Sequence, residues 1–275
     1  MTTAIIILSS VLFVAIVVLL SLRYPWWRKN RQGLRVLCYH KVGTPPQPCL
    51  KDLWVSPEKF RKQVRYLKTH GWKTLTFAEL YEIYKKKDPI PEKSVLITFD
   101  DGYQNNYTVA YPILKELDAK GNIFLVFNTI GKVNSWHNPS SEPWVNMCTM
   151  EQIREMQESG VIDFGGHTLN HPHLGKLDHE AARTEIIQSK KMTEQALGRE
   201  LVAFAYPYGD GAYNERVRKI AIEDAGYTFD FSFKEGITAW PWERENHTID
   251  RLYIKGSDDM ADFILHLKKG NTRII

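Results

Sequence analysis

Cysteine is scarce in this chain, and its spacing excludes two common structural uses of the residue. The 275 residues include three cysteines, Cys38, Cys49 and Cys148. Their number is odd and no CxxC pair occurs, so the sequence indicates neither a disulfide framework nor a zinc knuckle. Internal repeats and low-complexity segments are also absent, and the hydrophobic and charged fractions of 43% and 25% are those of an ordinary globular protein.

Strong charge of one sign is likewise missing. The formal net charge is +4 and the isoelectric point is about 8.8, and no lysine and arginine stripe interleaved with aromatic residues runs along the chain. Nucleic acid is therefore not an expected partner. Most of the positive excess is local and follows one long apolar run near the N-terminus.

That apolar run, residues 4–22, contains no charge and only three serines as polar residues. As a helix rising ~1.5 Å per residue it would cover roughly 28 Å, which is close to the hydrocarbon thickness of a bilayer. Arginines, lysine, tyrosine and tryptophans follow it, as at a membrane interface. A cleaved signal peptide is the alternative, but no cationic segment precedes the run and no A-x-A-like site ends it. We predict a transmembrane anchor over residues 1–22 and a basic aromatic linker over residues 23–34.

From residue 35 to residue 275 the sequence predicts one α/β domain. Short β-rich runs alternate with amphipathic helices that have clear caps, such as Ser56 with Pro57, the box Thr149-x-x-Gln152, and Asn214. The runs are nearly all apolar, as expected for strands covered on both faces: RVLCYH, SVLITFD, NIFLVF, VIDFGG, LVAFAY and TFDFSF. Repeated βα units imply a parallel sheet, either closed as a barrel or open and doubly wound.

Polar side chains stand where four of these strands end, at the edge where such folds gather their chemistry. The residues in question are Tyr39 and His40, Asp100 and Asp101, His167 and His171, and Pro207 and Tyr208. Taken singly, each has an ordinary explanation as a turn former, a helix cap or a solvated loop residue. Neighbours on an extended chain point to opposite faces, so Asp100 and Asp101 are expected to have two different roles.

The histidine pair strengthens the case for a functional site. His167 and His171 are four residues apart, a spacing that would put both imidazoles on one side of a helical turn ended by Pro172, where they could bind one metal ion. Two histidines and one carboxylate leave positions open for water and substrate, as in catalytic sites. His173 follows two residues later and is expected to face away.

Three motifs make this sequence resemble the NodB-type polysaccharide deacetylases of carbohydrate esterase family 4. They are TFDDGY at 98–103, HTLNHPHL at 167–174 and AYPYG at 205–209, in the order found in that family, and CYHKV at 38–42 is similar to the branch that acts on poly-N-acetylglucosamine. The resemblance implies an irregular (β/α) barrel. It also implies hydrolysis of N-acetyl groups on amino sugars with a divalent metal, usually Zn²⁺.

The same resemblance implies a role for each residue. Asp101, His167 and His171 would bind the metal, Asp100 would act as the general base, and Tyr208 would offer its backbone N–H to the oxyanion. This division suits the chemistry, because a base must keep its lone pairs free of the metal in order to take a proton from water.

Two departures from the family pattern leave questions open. Ala205 stands where many members have the arginine that orients the base, so another group must hold Asp100. The histidine of the general acid is not evident either: His247 precedes a strand, and His266 is expected to be a core or surface residue. His40 is the preferred additional catalytic residue, although a structural role is an alternative.

Several functional alternatives also stay open at this level. A non-catalytic carbohydrate-binding member would be expected to lose Asp100 or a histidine ligand, and a phosphoester hydrolase would need more metal ligands and cations. Poly-N-acetylglucosamine, peptidoglycan and a lipid-linked sugar all present the same acetyl group. The cations after the anchor favour a cytoplasmic domain, whereas the implied substrate favours an outward-facing one, which we expect.

Overall fold

The computed structural model describes residues 2–47, 49–243 and 247–270. The strands, in chain order, are β1 (Arg35–Tyr39), β2 (Lys41–Val42), β3 (Trp54–Val55), β4 (Lys73–Thr74), β5 (Ser94–Phe99), β6 (Gly121–Leu125), β7 (Ile162–Gly166), β8 (Ala203–Ala205), β9 (Phe229–Glu235) and β10 (Ile249–Tyr253). The α-helices are α1 (Thr2–Arg23), α2 (Pro57–Thr69), α3 (Phe77–Lys86), α4 (Tyr111–Glu116), α5 (Met150–Glu158), α6 (His179–Leu197), α7 (Glu215–Lys219) and α8 (Met260–Lys269).

Seven parallel strands close into a barrel, which decides between the two sheet arrangements that the sequence left open. Their order is β1, β10, β9, β8, β7, β6 and β5, and β1 also pairs with β5 from Arg35 opposite Val95 to Tyr39 opposite Phe99. Strand β4 lies beside the start of β5, and β2 and β3 form a separate pair. The expectation of an irregular (β/α) barrel is confirmed.

The strands are buried on both faces, as their apolar runs predict. Along β5, Val95, Ile97 and Phe99 pack in a cluster with the surrounding helices, whereas Leu96 packs in a second cluster. That second cluster fills the barrel, because it contains Phe124 of β6 and Phe231 of β9, whose rings are 5.3 Å apart although two strands separate them in the sheet. Alternate residues of a strand therefore face the barrel interior and the helices.

The predicted helix caps are present. The Ser56 hydroxyl accepts from the N–H of Lys59 at the start of α2, and Thr149 with Gln152 forms the capping box of α5. Asn214 caps α7, which continues as a π-helical turn over Ile220–Asp224. These caps fix where α2, α5 and α7 begin.

Helix α1 is long and apolar enough to cross a membrane over Ile5–Arg23, and no part of that stretch is buried. A signal sequence meets the same criterion of length and composition. The division into an anchor, a linker over residues 23–34 and a domain from residue 35 stays a prediction, and the predicted domain end at residue 275 lies outside the described residues.

Candidate active site

The strand ends converge at one rim of the barrel. Asp100 and Asp101 follow β5, His40 follows β1, the two histidines follow β7, and Tyr208 follows β8. The contacts that join them are His40 Nε2 to Asp100 Oδ2 at 4.0 Å, Asp101 Oδ1 to His167 Nε2 at 3.4 Å, Asp101 Oδ1 to His171 Nε2 at 3.2 Å, and the His171 ring to the Tyr208 ring at 4.6 Å between centroids. The structure thus brings together the six residues to which the sequence analysis gave catalytic or metal-binding roles.

Asp101, His167 and His171 form a compact buried group. Their ligand atoms all lie within 4.8 Å of one another, and the three residues are at most 7% exposed. The Nδ1–H of His167 donates to the carbonyl oxygen of Ala205 at 2.7 Å, which leaves Nε2 with its lone pair facing Asp101. Within the described ranges, no other cluster of histidine, cysteine and acidic residues meets the same criterion.

The donor set fits a divalent metal ion. Asp101 Oδ1 is buried and has no hydrogen-bond partner among the described residues, although a buried carboxylate oxygen is costly when it is left unpaired. Two imidazole nitrogens and one carboxylate oxygen are ligands that Zn²⁺ binds readily, and three protein ligands leave room for water and substrate. A cation at this point would satisfy the orphaned oxygen.

The histidine loop does not have the helical geometry that its spacing predicts. Residues 167–171 form no helical turn, and Thr168 and His171 have left-handed backbone angles, with φ of 71° and 60°. Pro172 disfavours right-handed helical geometry at the residue before it, and the Thr168 hydroxyl accepts from the N–H of His171 at 3.0 Å. The prediction of a helical turn is therefore wrong, although both histidines still contact Asp101.

Arg251 of β10 holds Asp100 from inside the barrel. Its Nη1 and Nη2 donate to the two carboxylate oxygens at 2.6 and 2.8 Å, and its Nε donates to the carbonyl oxygen of Ser232 at 2.8 Å. Arg251 is 1% exposed and Asp100 is 2% exposed, and the thiol of Cys38 lies 3.6 Å from Asp100 Oδ2. Arg251 thus supplies the cation that the sequence lacks at Ala205.

Sequence reasoning missed Arg251, although a signal was present. The segment TIDRLYI carries Asp250 and Arg251 among apolar and β-branched residues that indicate a buried strand. A cation on such a strand needs an anionic partner, because a lone buried charge is too costly to keep. The segment itself gives no indication of which carboxylate that partner is.

The two aspartates have different electrostatic surroundings. Burial by itself would raise the pKa of Asp100, but Arg251 and His167 outweigh it and hold that pKa below the ordinary value. Burial would also raise the pKa of Asp101, and here His171 and His167 lower it well below the ordinary value. Both carboxyl groups are therefore ionised at neutral pH, one facing an arginine and the other facing two imidazoles.

We expect the substitution Arg251→Gln to lower kcat/KM by about ten- to a hundred-fold, because Arg251 orients Asp100 and loss of an orienting partner typically has an effect of that size. Without the arginine the pKa of Asp100 rises, so the acid limb of the pH profile should move to higher pH. Because breaking a buried pair costs about 3–5 kcal/mol of stability, Arg251→Lys, which keeps the charge, should be measured alongside.

The matched control for Arg251 is Arg199→Gln. Arg199 pairs with the buried Asp163 near the start of β7, at the opposite end of the barrel. This variant should lose stability without moving the acid limb. Arg251→Lys should keep the acid limb nearer its original position, and an unchanged pH profile in folded Arg251→Gln would contradict the positioning role.

Of three further histidines, His40 and His173 lie near the site and His266 lies on α8. Burial lowers the pKa of His40 to about 4, so its imidazole is neutral at pH 7 beside Asp100. His173 stacks on the Tyr208 ring at 3.8 Å and is not part of the Asp101 group, as expected. His266, expected to be a core or surface residue, is buried on α8 near Asp258.

The loop that contains Trp136 and Glu142, which the sequence analysis did not identify, covers one side of the site. The Trp136 ring stacks on the His171 ring at 4.6 Å with an interplanar angle of 22°. The loop is fixed by Glu142, whose carboxylate pairs with Lys41 Nζ at 2.9 Å and accepts from Trp54 Nε1 at 3.0 Å. The buried ion pair links this loop to the residue next to His40.

Comparisons with known proteins identify the family of this chain. The family model described as polysaccharide deacetylase matches residues 87–229. The chain is 32% identical over 213 residues to the poly-beta-1,6-N-acetyl-D-glucosamine N-deacetylase of Staphylococcus epidermidis, which covers 74% of this chain and 69% of that protein.

Solved structures give the same result for the fold. The Streptococcus pyogenes deacetylase PplD in complex with acetate superposes with a TM-score of 0.72 and 26% identity, covering 86% of this chain and 99% of that one. IcaB from Ammonifex degensii has a TM-score of 0.69 and 24% identity, covering 86% of this chain and 97% of that one. At this identity the likeness to IcaB concerns the fold.

Proposed function

The chain belongs to the polysaccharide deacetylase family, and we propose that it is a metal-dependent hydrolase that removes N-acetyl groups from the amino sugars of a glycan. The observation that carries the proposal is the pair of neighbouring buried aspartates in different surroundings. Asp101 faces His167 and His171, while Asp100 faces Arg251. One carboxylate is thus set to bind a metal and the other to move a proton.

Asp101, His167 and His171 would hold the metal, and Zn²⁺ is the ion that suits these ligands best. A bound divalent ion would polarise the acetyl carbonyl and lower the pKa of water, which an amide requires because it is a poor electrophile. Burial lowers the pKa of His171, which keeps its imidazole neutral and able to bind. The same burial excludes bulk water from the ligand group.

Asp100 would act as the general base. Its bidentate pair with Arg251 uses one lone pair on each oxygen, and an ionised carboxylate offers about four acceptor positions in all. A lone pair therefore remains to accept the proton of the attacking water. The arginine keeps the carboxylate ionised and fixes its direction, so the base stands ready in one orientation.

Tyr208 and His40 would complete the site. Tyr208 has a left-handed backbone with φ of 57° between Pro207 and Gly209, and in the proposed mechanism its N–H donates to the oxyanion. His40 is neutral next to Asp100, so it would have to gain a proton before it could protonate the leaving amine. We assign to it the relay, to the leaving amine, of the proton that Asp100 takes from water; because His40 Nε2 lies 4.0 Å from Asp100 Oδ2, the proton would pass through one bridging water.

The proposed substrate is an N-acetylglucosamine polymer outside the cytoplasm, with the protein anchored in the membrane through α1. Support comes from the relatives named for poly-beta-1,6-N-acetyl-D-glucosamine and from the long apolar helix followed by aromatic and basic residues. The cations after α1 bias the orientation but do not dictate it. A lipid-linked amino sugar is the alternative substrate.

The proposed function is tested by acetate release from N-acetylglucosamine oligomers by the purified full chain in detergent. We expect release that falls to background on treatment with a chelator and returns on addition of Zn²⁺, since Asp101, His167 and His171 would hold the ion that activates the attacking water. Release that persists at full rate without bound metal would contradict metal dependence. No release under any metal would contradict the proposed activity.

A further inference from the structure

The linker, residues 23–34, folds back on the barrel at helix α8. Where the linker begins, Arg23 forms a bidentate pair with Asp262, with Nη1 to Oδ1 at 2.5 Å and Nη2 to Oδ2 at 2.8 Å. The Tyr24 hydroxyl donates to Asp259 Oδ2 at 2.8 Å. Asp259 is the N-cap of α8 and Asp262 lies in its first turn, so the end of α1 is held at the start of α8.

Towards its other end, the linker contacts the last turn of α8. The N–H of Arg31 donates to the carbonyl oxygen of Lys268 at 2.9 Å. Just beyond the linker, Nε of Arg35 donates to the carbonyl oxygen of Leu267 at 2.6 Å. The linker therefore runs along α8 from its first turn to its last, a length of about 15 Å for ten residues.

The direction of α8 shows which end of the barrel α1 meets. Helix α8 begins shortly after Tyr253, the last residue of β10, whose ring is 5.7 Å from the ring of His40. The N–H of Ile254 donates to the carbonyl oxygen of Cys38, near the end of β1. The first turn of α8 thus lies at the catalytic end of the barrel, whereas Arg35 opens β1 at the opposite end.

Burial explains why this docking is specific. Asp262 is 1% exposed, and Arg23 is the cation paired with it. A buried carboxylate that loses its cation is strongly disfavoured, so the end of α1 is fixed to this point of the domain. Trp26 and Trp27 remain 63% and 58% exposed beside it, as suits residues at a membrane interface.

From this path we propose that the catalytic rim opens at the membrane surface, and that the enzyme deacetylates glycans held at that surface. The proposal rests on the proposed function and on α1 as an anchor. No part of the apolar span of α1 is buried, so the helix leaves the domain at the rim instead of lying along the barrel. A bilayer crossed by α1 therefore meets the domain at the end of the barrel that carries His40 and Asp100.

The position of the catalytic rim determines which substrates the enzyme can reach. A rim at the bilayer surface reaches sugars that are attached to a lipid or that emerge from the membrane, and it is directed away from polymer that lies farther out. Lipid-linked and emerging glycans present the same N-acetyl group, so the assay uses one synthetic lipid-linked N-acetylglucosamine oligomer and the identical free oligomer.

The first test measures which end of the barrel faces the bilayer. Two variants of the full chain, each with Cys49→Ser, carry one fluorophore. It is attached at Ser140→Cys, in the loop between Trp136 and Glu142 beside the site, or at Lys86→Cys at the end of α3, and both positions are exposed. In phosphatidylcholine and phosphatidylglycerol vesicles with nitroxide head groups, the label at position 140 should be quenched more strongly. Equal or reversed quenching would overturn the proposal.

The second test separates the rim from the membrane without touching the docked contacts. A flexible Gly/Ser segment of about 20 residues, inserted after Leu22, adds roughly 25 Å of reach. It leaves the pairs of Arg23 and Tyr24 with α8 intact. Acetate release from the lipid-linked oligomer in the same vesicle should fall roughly ten-fold, because its effective concentration at the site falls. Release from the free oligomer should not change.

The outcomes distinguish this inference from the function on which it rests. If both oligomers are deacetylated and the insertion has no effect on the lipid-linked one, the rim does not work at the membrane, although the deacetylase activity stands. If neither oligomer releases acetate, the proposed function fails, and the quenching experiment still decides the orientation. If α1 is removed as a signal sequence, no label is quenched and the inference is overturned.

Discussion

Replacement of Asp100 by asparagine is expected to abolish most acetate release from N-acetylglucosamine oligomers while leaving the metal content unchanged. Asparagine keeps the shape of the side chain but cannot take a proton from water, and general-base catalysis is worth about a hundred- to ten-thousand-fold in rate. The metal group should be unaffected, because its contacts are made by Asp101. Acetate assays and elemental analysis of the same preparation measure both quantities.

The matched control is Asp101→Asn, one residue away. Asp101 faces His167 and His171, whereas the guanidinium of Arg251 donates to Asp100. The Asp101→Asn variant should therefore lose metal and activity together. If Asp100→Asn lost the metal and Asp101→Asn retained it, the two roles would be reversed. Loss of metal in both variants would mean that neither aspartate acts as a separate base.

The substitution His167→Ala is expected to lower metal affinity by at least about a hundred-fold and to reduce activity to background. It removes one of three donors, whereas loss of a partner in the outer shell already costs about ten- to a hundred-fold. The His167 side chain is 2% exposed and its Nδ1–H donates a hydrogen bond to the carbonyl oxygen of Ala205. Another side chain therefore cannot readily supply the missing ligand. Metal titration of the chelated protein gives the affinity directly.

His173→Ala is the control for the histidine ligand. It removes an imidazole from the same loop, but this ring stacks on Tyr208 and its Nδ1 lies 3.1 Å from Asp210. The variant should bind metal as the unchanged protein does. Full metal occupancy in His167→Ala, or equal loss in both variants, would contradict the assignment of the ligands.

The fold class and the family were predictable from local patterns. Apolar runs covered on both faces indicate parallel strands, and caps such as Thr149 with Gln152 fix where helices begin, because the groups involved are close in sequence. The histidine spacing indicated a metal group but not its backbone. The left-handed residues Thr168 and His171 result from a turn that the spacing alone does not distinguish from a helix.

Closure of the barrel could not be derived from those patterns. A strand of an open sheet and a strand of a barrel have the same apolar sequence, and the difference is the pairing of β1 with both β5 and β10. The resemblance to a family supplied the answer that periodicity left open. The path of the linker along α8 was equally hidden, because Arg23 and Asp262 are 239 residues apart in the chain.

The sequence by itself determined six apolar barrel strands, the caps, the apolar α1 and the neighbouring aspartates, since each depends on residues a few positions apart. Only the tertiary structure decided which cation holds Asp100. Arg251 is 151 residues away and reaches it because closure of the barrel places β10 beside β1, which in turn pairs with β5. A buried charge requires a partner, but the register of distant strands determines which one it finds.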